Sequence, residues 1–563
     1  MPQSTTTVGG YLAARLADIG VGHYFTVPGD YNLILLDELL KCDRLQMVSC
    51  CNELNAGYAA DGYCRATGGP SMAVVTYSVG GLSLLNAVAG AFAEDLPLIA
   101  VSGGPNTNST AEYELLHHTL GQVDYDYQRE IYSRVTANAV VIQNPADAPA
   151  QIDHALEAAI TRRKPVYIEV ACNIAAAEIS TPHPRTFDRH LPSDSDSLSC
   201  AVETAAELLN AAEKPVLVAG VKMRPGDAED AFAALAAASG YAVAAMPNSK
   251  SFFNEQHPSY MGIYWGPVGT PGCGEIVESA DLCVFVGPLF TDYSTTGHAA
   301  LIHRSKMIEV RQDCVLIADQ TFSDVAMSDF LTALAERLNH NDKSLKAFKR
   351  IEEVRPAIAS GDAADPLTTR QLFARIQRLL TSETAVIAET GDSWFNGMSL
   401  DLPAQGRFEI QMQYGSIGWS VGATLGYCMG APARQVVTCV GDGSFQLTAQ
   451  EISTMIRYGA RPIVFLINNG GYTIETEIHD GPYNTINNWD YARLVDVFNG
   501  DKGKGWGCSA ATEGELDAAI AQALDHDGLS LIEVHIDRDD CSRNLLEWGG
   551  HVAKNNGRPP RQR

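Results

Sequence analysis

Short apolar runs of strand length alternate with longer amphipathic stretches along the whole chain. This is the rhythm of a parallel sheet whose crossovers are helices. In the first third, residues 24–27, 73–76 and 98–101 read as strands. Residues 215–219 and 282–286 do so in the second, and 385–388, 436–440 and 463–467 in the third. Two stretches break the rhythm: 181–197, rich in Pro, Ser and Asp, and 340–366, charged and turn-rich. Both read as interdomain connections. The expectation is three α/β domains, 1–185, 195–340 and 360–563, each a mainly parallel sheet flanked by helices. No short repeat is visible, and the basic, Pro-containing end, 555–563, reads as a frayed tail.

Bulk composition fits that plan. A length of 563 residues suits three domains of about 100–200 residues. Lys and Arg total 40 against 67 Asp and Glu, so the formal charge is −27, which argues against a nucleic-acid partner. Thirteen cysteines lack metal or disulfide spacing, and Cys50-Cys51 are neighbours in an expected strand. Such thiols read as reduced and mostly buried. The start, Met1-Pro2-Gln3-Ser4-Thr5-Thr6, has no basic region or apolar stretch of signal type, and no run approaches a membrane span. The expectation is a cytoplasmic protein with no membrane partner.

The chemistry concentrates at Gly441-Asp442-Gly443-Ser444, answered by Asn468-Asn469 and Gly470-Gly471. An apolar strand precedes the first motif, and a helix expected over 447–458, closed by Gly459, leads to the next strand. Right-handed crossover makes the two strands parallel and brings Asp442 and Asn469 to one carboxyl edge, where α/β proteins bind ligands. Asp442 offers a carboxylate oxygen and Asn469 an amide oxygen, as a hard Mg²⁺ ion requires. The glycines offer a carbonyl and open amides for a diphosphate. A lone Gly-Asp-Gly is also an ordinary turn; the paired spacing points to a magnesium–diphosphate site.

With Pro28-Gly29-Asp30-Tyr31-Asn32, Cys51-Asn52-Glu53-Leu54-Asn55, His117-His118-Thr119, Glu389-Thr390-Gly391-Asp392, Gly415-Ser416-Ile417-Gly418-Trp419 and Tyr472 to Tyr483, the chain resembles the thiamine diphosphate-dependent 2-oxoacid decarboxylases over nearly its whole length. Among them it is similar to pyruvate decarboxylases of bacterial type. The resemblance implies a pyrimidine-binding, a middle and a diphosphate-binding domain. It also implies thiamine diphosphate and Mg²⁺ as cofactors, and a homotetramer, a dimer of dimers with active sites between subunits. The implied reaction is decarboxylation of pyruvate to acetaldehyde and CO₂ through a cofactor ylide and enamine.

The resemblance also implies residue roles. Glu53 would serve the aminopyrimidine N1′, Gly415 its N4′, and Ile417 would bend the cofactor from below. Asp392, Ser416, Gly443, Ser444, Tyr472 and Ile474 complete the cofactor contacts. Asp442, Asn469 and Gly471 would hold the metal. Asp30, His117, His118 and Glu475 would be the proton-handling set, and Tyr293, Trp394, Ile474 and Ile478 the substrate pocket. Bulky pocket residues favour pyruvate over aromatic 2-oxoacids. Pattern alone reads Glu53 as a first-turn carboxylate after an Asn52 N-cap, and the His pair as a solvated loop in which one member is structural.

Departures are local. Gly470 stands where relatives often carry a larger residue, and Thr476 and Glu477 occupy commonly apolar positions. Gly220-Val221 occupies the position of the regulatory cysteine of substrate-activated relatives, so no thiol-mediated activation is expected. Competing readings are an acetolactate-synthase-like carboligase with FAD, an aromatic 2-oxoacid decarboxylase, and a non-catalytic thiamine-binding protein.

Overall fold

The computed structural model describes residues 5–181, 185–189, 192–353, 358 and 361–560. Parts of both expected connections, including Pro182–Pro184, the first four residues and the last three lie outside these. Three large sheets carry the chain, beside a two-stranded antiparallel pair of Thr5–Thr7 and Glu178–Ser180. The N-terminal sheet runs Gln46–Ser49, His23–Thr26, Ser71–Val75, Leu98–Gly104, Val166–Ala171, Asn138–Ile142, all parallel. The C-terminal sheet runs Arg407–Glu409, Thr384–Ala388, Gln435–Gly441, Ile463–Asn468, Ser530–His535, Trp506–Ala510, also parallel. In chain order both read 2-1-3-4-6-5, so the two ends share one fold.

Between them lies a seven-stranded sheet around Val216–Ala219 and Cys283–Val286. It is parallel except for an antiparallel edge formed by Met307–Val310, Cys314–Ile317 and Gln320–Ser323. The expected strands all form, displaced by a few residues at most, because sheets covered on both faces need unbroken apolar runs. Cys50 and Cys51 fall just beyond the Gln46–Ser49 strand instead of inside one. The second expected connection contains a helix, Lys343–Ile351, which buries Ser344 and Phe348 while its charged residues face water. The stated tail begins later than expected, since the Arg543–Asn556 helix includes Asn555 and Asn556.

One contact between the end domains bears on the site. The Glu53–Thr67 helix packs on the Trp419–Gly430 helix closely enough that a Cβ on Gly426 would lie 1.7 Å from the Ala59 carbonyl oxygen. Only glycine permits that approach. Trp419 Nε1 donates to Asp61 at 3.0 Å and Arg65 Nε to the same oxygen at 2.6 Å, which fixes the helix that begins with Glu53.

The N-terminal sheet also stores a pH dependence. Glu169 is 2 % exposed, accepts from the Tyr167 hydroxyl at 2.6 Å, and burial pushes its carboxyl up to about 8 from 4.5. Between those values the folded chain holds a proton that the unfolded chain has released, so stability falls as pH rises through that window. Glu169→Gln is therefore expected to raise the urea midpoint more at pH 8 than at pH 5. Equal changes at both would contradict this.

Candidate active site

The C-terminal sheet reverses its strand order between Thr384–Ala388 and Gln435–Gly441, the place where open α/β sheets bind ligands. A cavity of about 230 Å³ lies there. Residues 390–393 follow the first strand, Gly441 ends the second and Gly443 and Ser444 follow it, and Asn469 and 471–475 follow the third. Gly415 and Ile417 also line it, and Tyr293 reaches in from the middle domain.

Asp442 is fully buried between the lining residues Gly441 and Gly443. It opens the Asp442–Thr448 helix, five residues before the expected start, and that helix stops before a second one, Glu451–Arg457. A carboxylate in the first turn stabilises the free amides there, which explains the early start. Asp442 Oδ1 accepts from Gly443 N at 2.8 Å, and Oδ2 from Asn469 N at 3.2 Å and Gly470 N at 2.6 Å. Burial nevertheless pushes the carboxyl up to about 6.

Asn469 Nδ2 donates to Thr473 Oγ1 at 2.6 Å, which fixes the amide. Its Oδ1 is buried without a hydrogen-bond partner. A desolvated carboxylate held by the Asn469 backbone N–H, with an orphan amide oxygen on that same residue, is a donor set that a hard divalent cation satisfies, so these residues fit Mg²⁺. The glycines fit a diphosphate beside it. A Cβ on Gly443 would stand 2.4 Å from the Tyr472 ring and one on Gly471 2.1 Å from the Asn484 carbonyl, whereas Gly441 faces open space.

The opposite wall is equally determined. Asp392 accepts from Asn396 Nδ2 at 2.7 Å and Ser542 N at 3.0 Å, and desolvation pushes it up to about 6. Gly415 takes a positive φ of 64°, which places Ile417 on the cavity. Ser416 is not a cavity residue; its hydroxyl pairs with Tyr58 and accepts from Asn86 at 3.0 Å. Burial, then the charge of Glu475, raise the Tyr293 phenol above its ordinary value. Ile474 and the exposed Glu475 line the cavity. Trp394 is fully buried with its ring edge-on to Tyr293 at 6.2 Å, behind the wall, and Ile478 packs half-buried on the main core.

Glu53, Asp30, His117 and His118 do not line this cavity. They gather at the carboxyl edge of the N-terminal sheet. Asn52 caps the Glu53–Thr67 helix by accepting from Leu54 N at 2.8 Å, and the Glu53 carboxylate lies beside Gly80. His117 Nε2 is 2.7 Å and His118 Nε2 3.8 Å from the Asp30 carboxylate, so both rings face one acid. His118 reaches it through a positive φ of 60°, and His117 stacks on Tyr31 at 4.8 Å.

Several contributors stand in or beside the motifs quoted from sequence but were given no role there. Glu389 is buried and raised by desolvation; it accepts from Gly418 N, Ser420 N and Ser420 Oγ at 3.1, 3.0 and 2.7 Å, so it holds the loop that carries Ile417. Thr390, Gly391, Ser393 and Thr473 line the cavity. An acid closing the apolar run 385–388 is the signal that marks Glu389; Ser393 and Thr473 are marked only by their place in or beside motifs that carry the resemblance.

Comparison with known proteins gives three matches in chain order. Residues 6–128 match the N-terminal TPP binding domain of thiamine pyrophosphate enzymes, 202–339 their central domain, and 380–534 their C-terminal TPP binding domain. The chain belongs to the thiamine pyrophosphate enzymes. It is 50% identical over 568 residues to Pyruvate decarboxylase 4 of Arabidopsis thaliana, covering 99% of this chain and 93% of that one. It is also 50% identical to Pyruvate decarboxylase 1 of Pisum sativum, over 98% of this chain and 94% of the relative. A solved Mycobacterium smegmatis structure, described as a thiamin diphosphate-dependent enzyme, shares the fold at TM-score 0.77 and 21% identity, over 95% of this chain and 100% of that one. This thiamine pyrophosphate enzyme thus has the three-domain α/β fold in full.

Proposed function

We propose that this enzyme decarboxylates pyruvate non-oxidatively to acetaldehyde and CO₂, with thiamine diphosphate and Mg²⁺. The observation that carries the reading is the orphan amide oxygen of Asn469, whose backbone N–H donates to buried Asp442, on a cavity that also holds Glu475, in a chain half identical to pyruvate decarboxylases. When bound, thiamine diphosphate supplies a nucleophilic carbon and a sink for the electron pair that CO₂ leaves behind.

The chain's own residues do the rest. Asp442, Asn469 and the Gly471 carbonyl would hold Mg²⁺. Gly443 and Ser444 would seat the diphosphate, with Asp392, Ser416, Tyr472 and Ile474 around the cofactor. Ile417 would support it from below, the Gly415 carbonyl would accept from N4′, and Glu53 would hold a proton at N1′. Glu475 would assist loss of the carboxylate and deliver a proton to the substrate carbon. Asp30 and His118 would relay protons, with His117 orienting them. Tyr293 and Ile474, with Trp394 behind and Ile478 nearby, leave room for a methyl group. Apolar walls discriminate by about 1–3 kcal/mol per methylene, so aromatic acids should turn over poorly.

We read the enzyme as a homotetramer, a dimer of dimers, and two observations support the shared sites of its dimer. The Glu53 set lies off the cavity, and around it Val79, Tyr113, Leu115 and Leu120 are 55, 77, 62 and 69% exposed, an apolar surface that a partner would cover. Mixing inactive Glu53→Gln and Asp442→Ala chains by refolding is expected to restore about a quarter of the activity, since half of the random dimers carry one intact site. No recovery would mean that each chain completes its own site. All thirteen cysteines are free, and no described helix is long and apolar enough to cross a membrane, which supports a cytoplasmic location.

A further inference from the structure

A second cavity, of about 370 Å³, lies where the three domains meet. Arg65 and Arg163 of the N-terminal domain, Arg224 of the middle domain, and Arg407 and Arg434 of the C-terminal domain line it. Carboxylates answer three of the five. Arg65 pairs with Asp61 at 2.6 Å and Glu409 at 3.4 Å, Arg224 pairs with Glu409, and Arg407 pairs with Glu229 at 2.9 Å. Arg434 donates to the carbonyls of Ser382 and Gln405 at 3.2 and 3.1 Å and has no ion pair among the described residues.

Arg163 is the telling member. It is 5% exposed, and its side-chain hydrogen bond among the described residues runs from Nη2 to the Gly68 carbonyl at 3.3 Å. Nε and Nη1 are buried without partners, as is Nη1 of Arg224. The acids left on the cavity, Asp227 and Asp230, are exposed to water. Burial together with the charges of Arg189 and Arg224 depresses the Arg163 pKa, and Asp227 only partly opposes them. Arg163 also ends the Ala148–Arg162 helix with φ 53°, a conformation that glycine adopts most cheaply. A buried guanidinium with no ion pair among the described residues, and with the water-exposed Asp227 as the acid that opposes its neighbouring cations, is unfavourable unless something pairs with it. Arg163 and Arg224, which carry unpartnered buried N–H groups, line one cavity from two domains and Arg434 lines it from the third, a set of guanidinium donors suited to a multidentate oxyanion.

We propose that this junction binds a phosphate-type oxyanion, either inorganic phosphate or the phosphoryl group of a small metabolite, which ties the three domains together. Phe252, under the Arg224 guanidinium at 4.9 Å, and Tyr427 line the same cavity. The proposal is independent of the reaction assigned above.

Equilibrium dialysis of the holoenzyme against radiolabelled inorganic phosphate, at constant ionic strength, tests it. Saturating thiamine diphosphate and Mg²⁺ keep the probe out of the catalytic cavity. One phosphate per chain is expected, with affinity at least about tenfold weaker in Arg163→Gln and in Arg434→Gln, each of which removes charge-assisted donors. Arg434 is half-buried at the edge, so its variant keeps the test open should the Arg163 variant fold poorly. Displacement by AMP would identify a phosphorylated metabolite as the ligand; phosphate held against AMP would identify the free ion. No phosphate bound at about 10 mM, well above the millimolar range of weak sites, overturns the proposal, as does unchanged affinity in both variants.

Discussion

Glu53→Gln is expected to lower kcat on pyruvate by about 10³-fold, while cofactor affinity stays within about tenfold of wild type. The glutamine keeps the size and a hydrogen bond but cannot hold the charge that favours a proton at N1′. Helix position will not obscure the result. Asn52 still caps the Glu53–Thr67 helix, and the Asp61, Arg65 and Trp419 contacts still dock it. Steady-state kinetics beside a thiamine diphosphate titration by quenching of tryptophan fluorescence would separate the two effects. A variant with wild-type kcat would leave Glu53 as a helix-start acid and nothing more.

Asp442→Ala should be as severe by another route. It removes the buried carboxylate that a divalent cation needs and also frees the Asn469 and Gly470 amides that Oδ2 holds. Activity at ordinary Mg²⁺ is expected to fall at least about 10³-fold, with thiamine diphosphate binding lost in parallel. Asp442→Asn keeps the shape but not the charge, and raising Mg²⁺ should recover part of its activity. Full activity of the alanine variant after treatment with a chelator would remove Asp442 from the metal site.

The meeting of Asp442 with Asn469, the proposed metal ligands, was legible because sequence spacing encodes it. A strand, a glycine-flanked acid, a helix and a second strand ending in Asn-Asn bring Asp442 and Asn469 to one sheet edge whatever the surrounding packing. The strands were legible for a related reason, since sheets buried on both faces leave unbroken apolar runs. The pocket wall was harder. Trp394 and Ile478 are apolar residues near a cavity, and sequence does not say whether such a side chain faces the ligand or the core behind it. Lys343–Ile351 read as a connection because its charges mask a two-residue stripe, Ser344 and Phe348, that docks it. The separation of Glu53, Asp30 and the two histidines from the cavity follows from tertiary arrangement alone, and no local pattern carries it.

The most direct test is acetaldehyde formation from pyruvate by the purified protein with thiamine diphosphate and Mg²⁺, beside turnover of phenylpyruvate and indolepyruvate. Rapid acetaldehyde release with little aromatic turnover and hyperbolic pyruvate saturation is the expected result. Preference for the aromatic acids would contradict the small pocket formed by Tyr293 and Ile474. Conversion of pyruvate to acetolactate, or no reaction at all, would contradict the roles assigned to Glu475, Asp30 and the histidine pair.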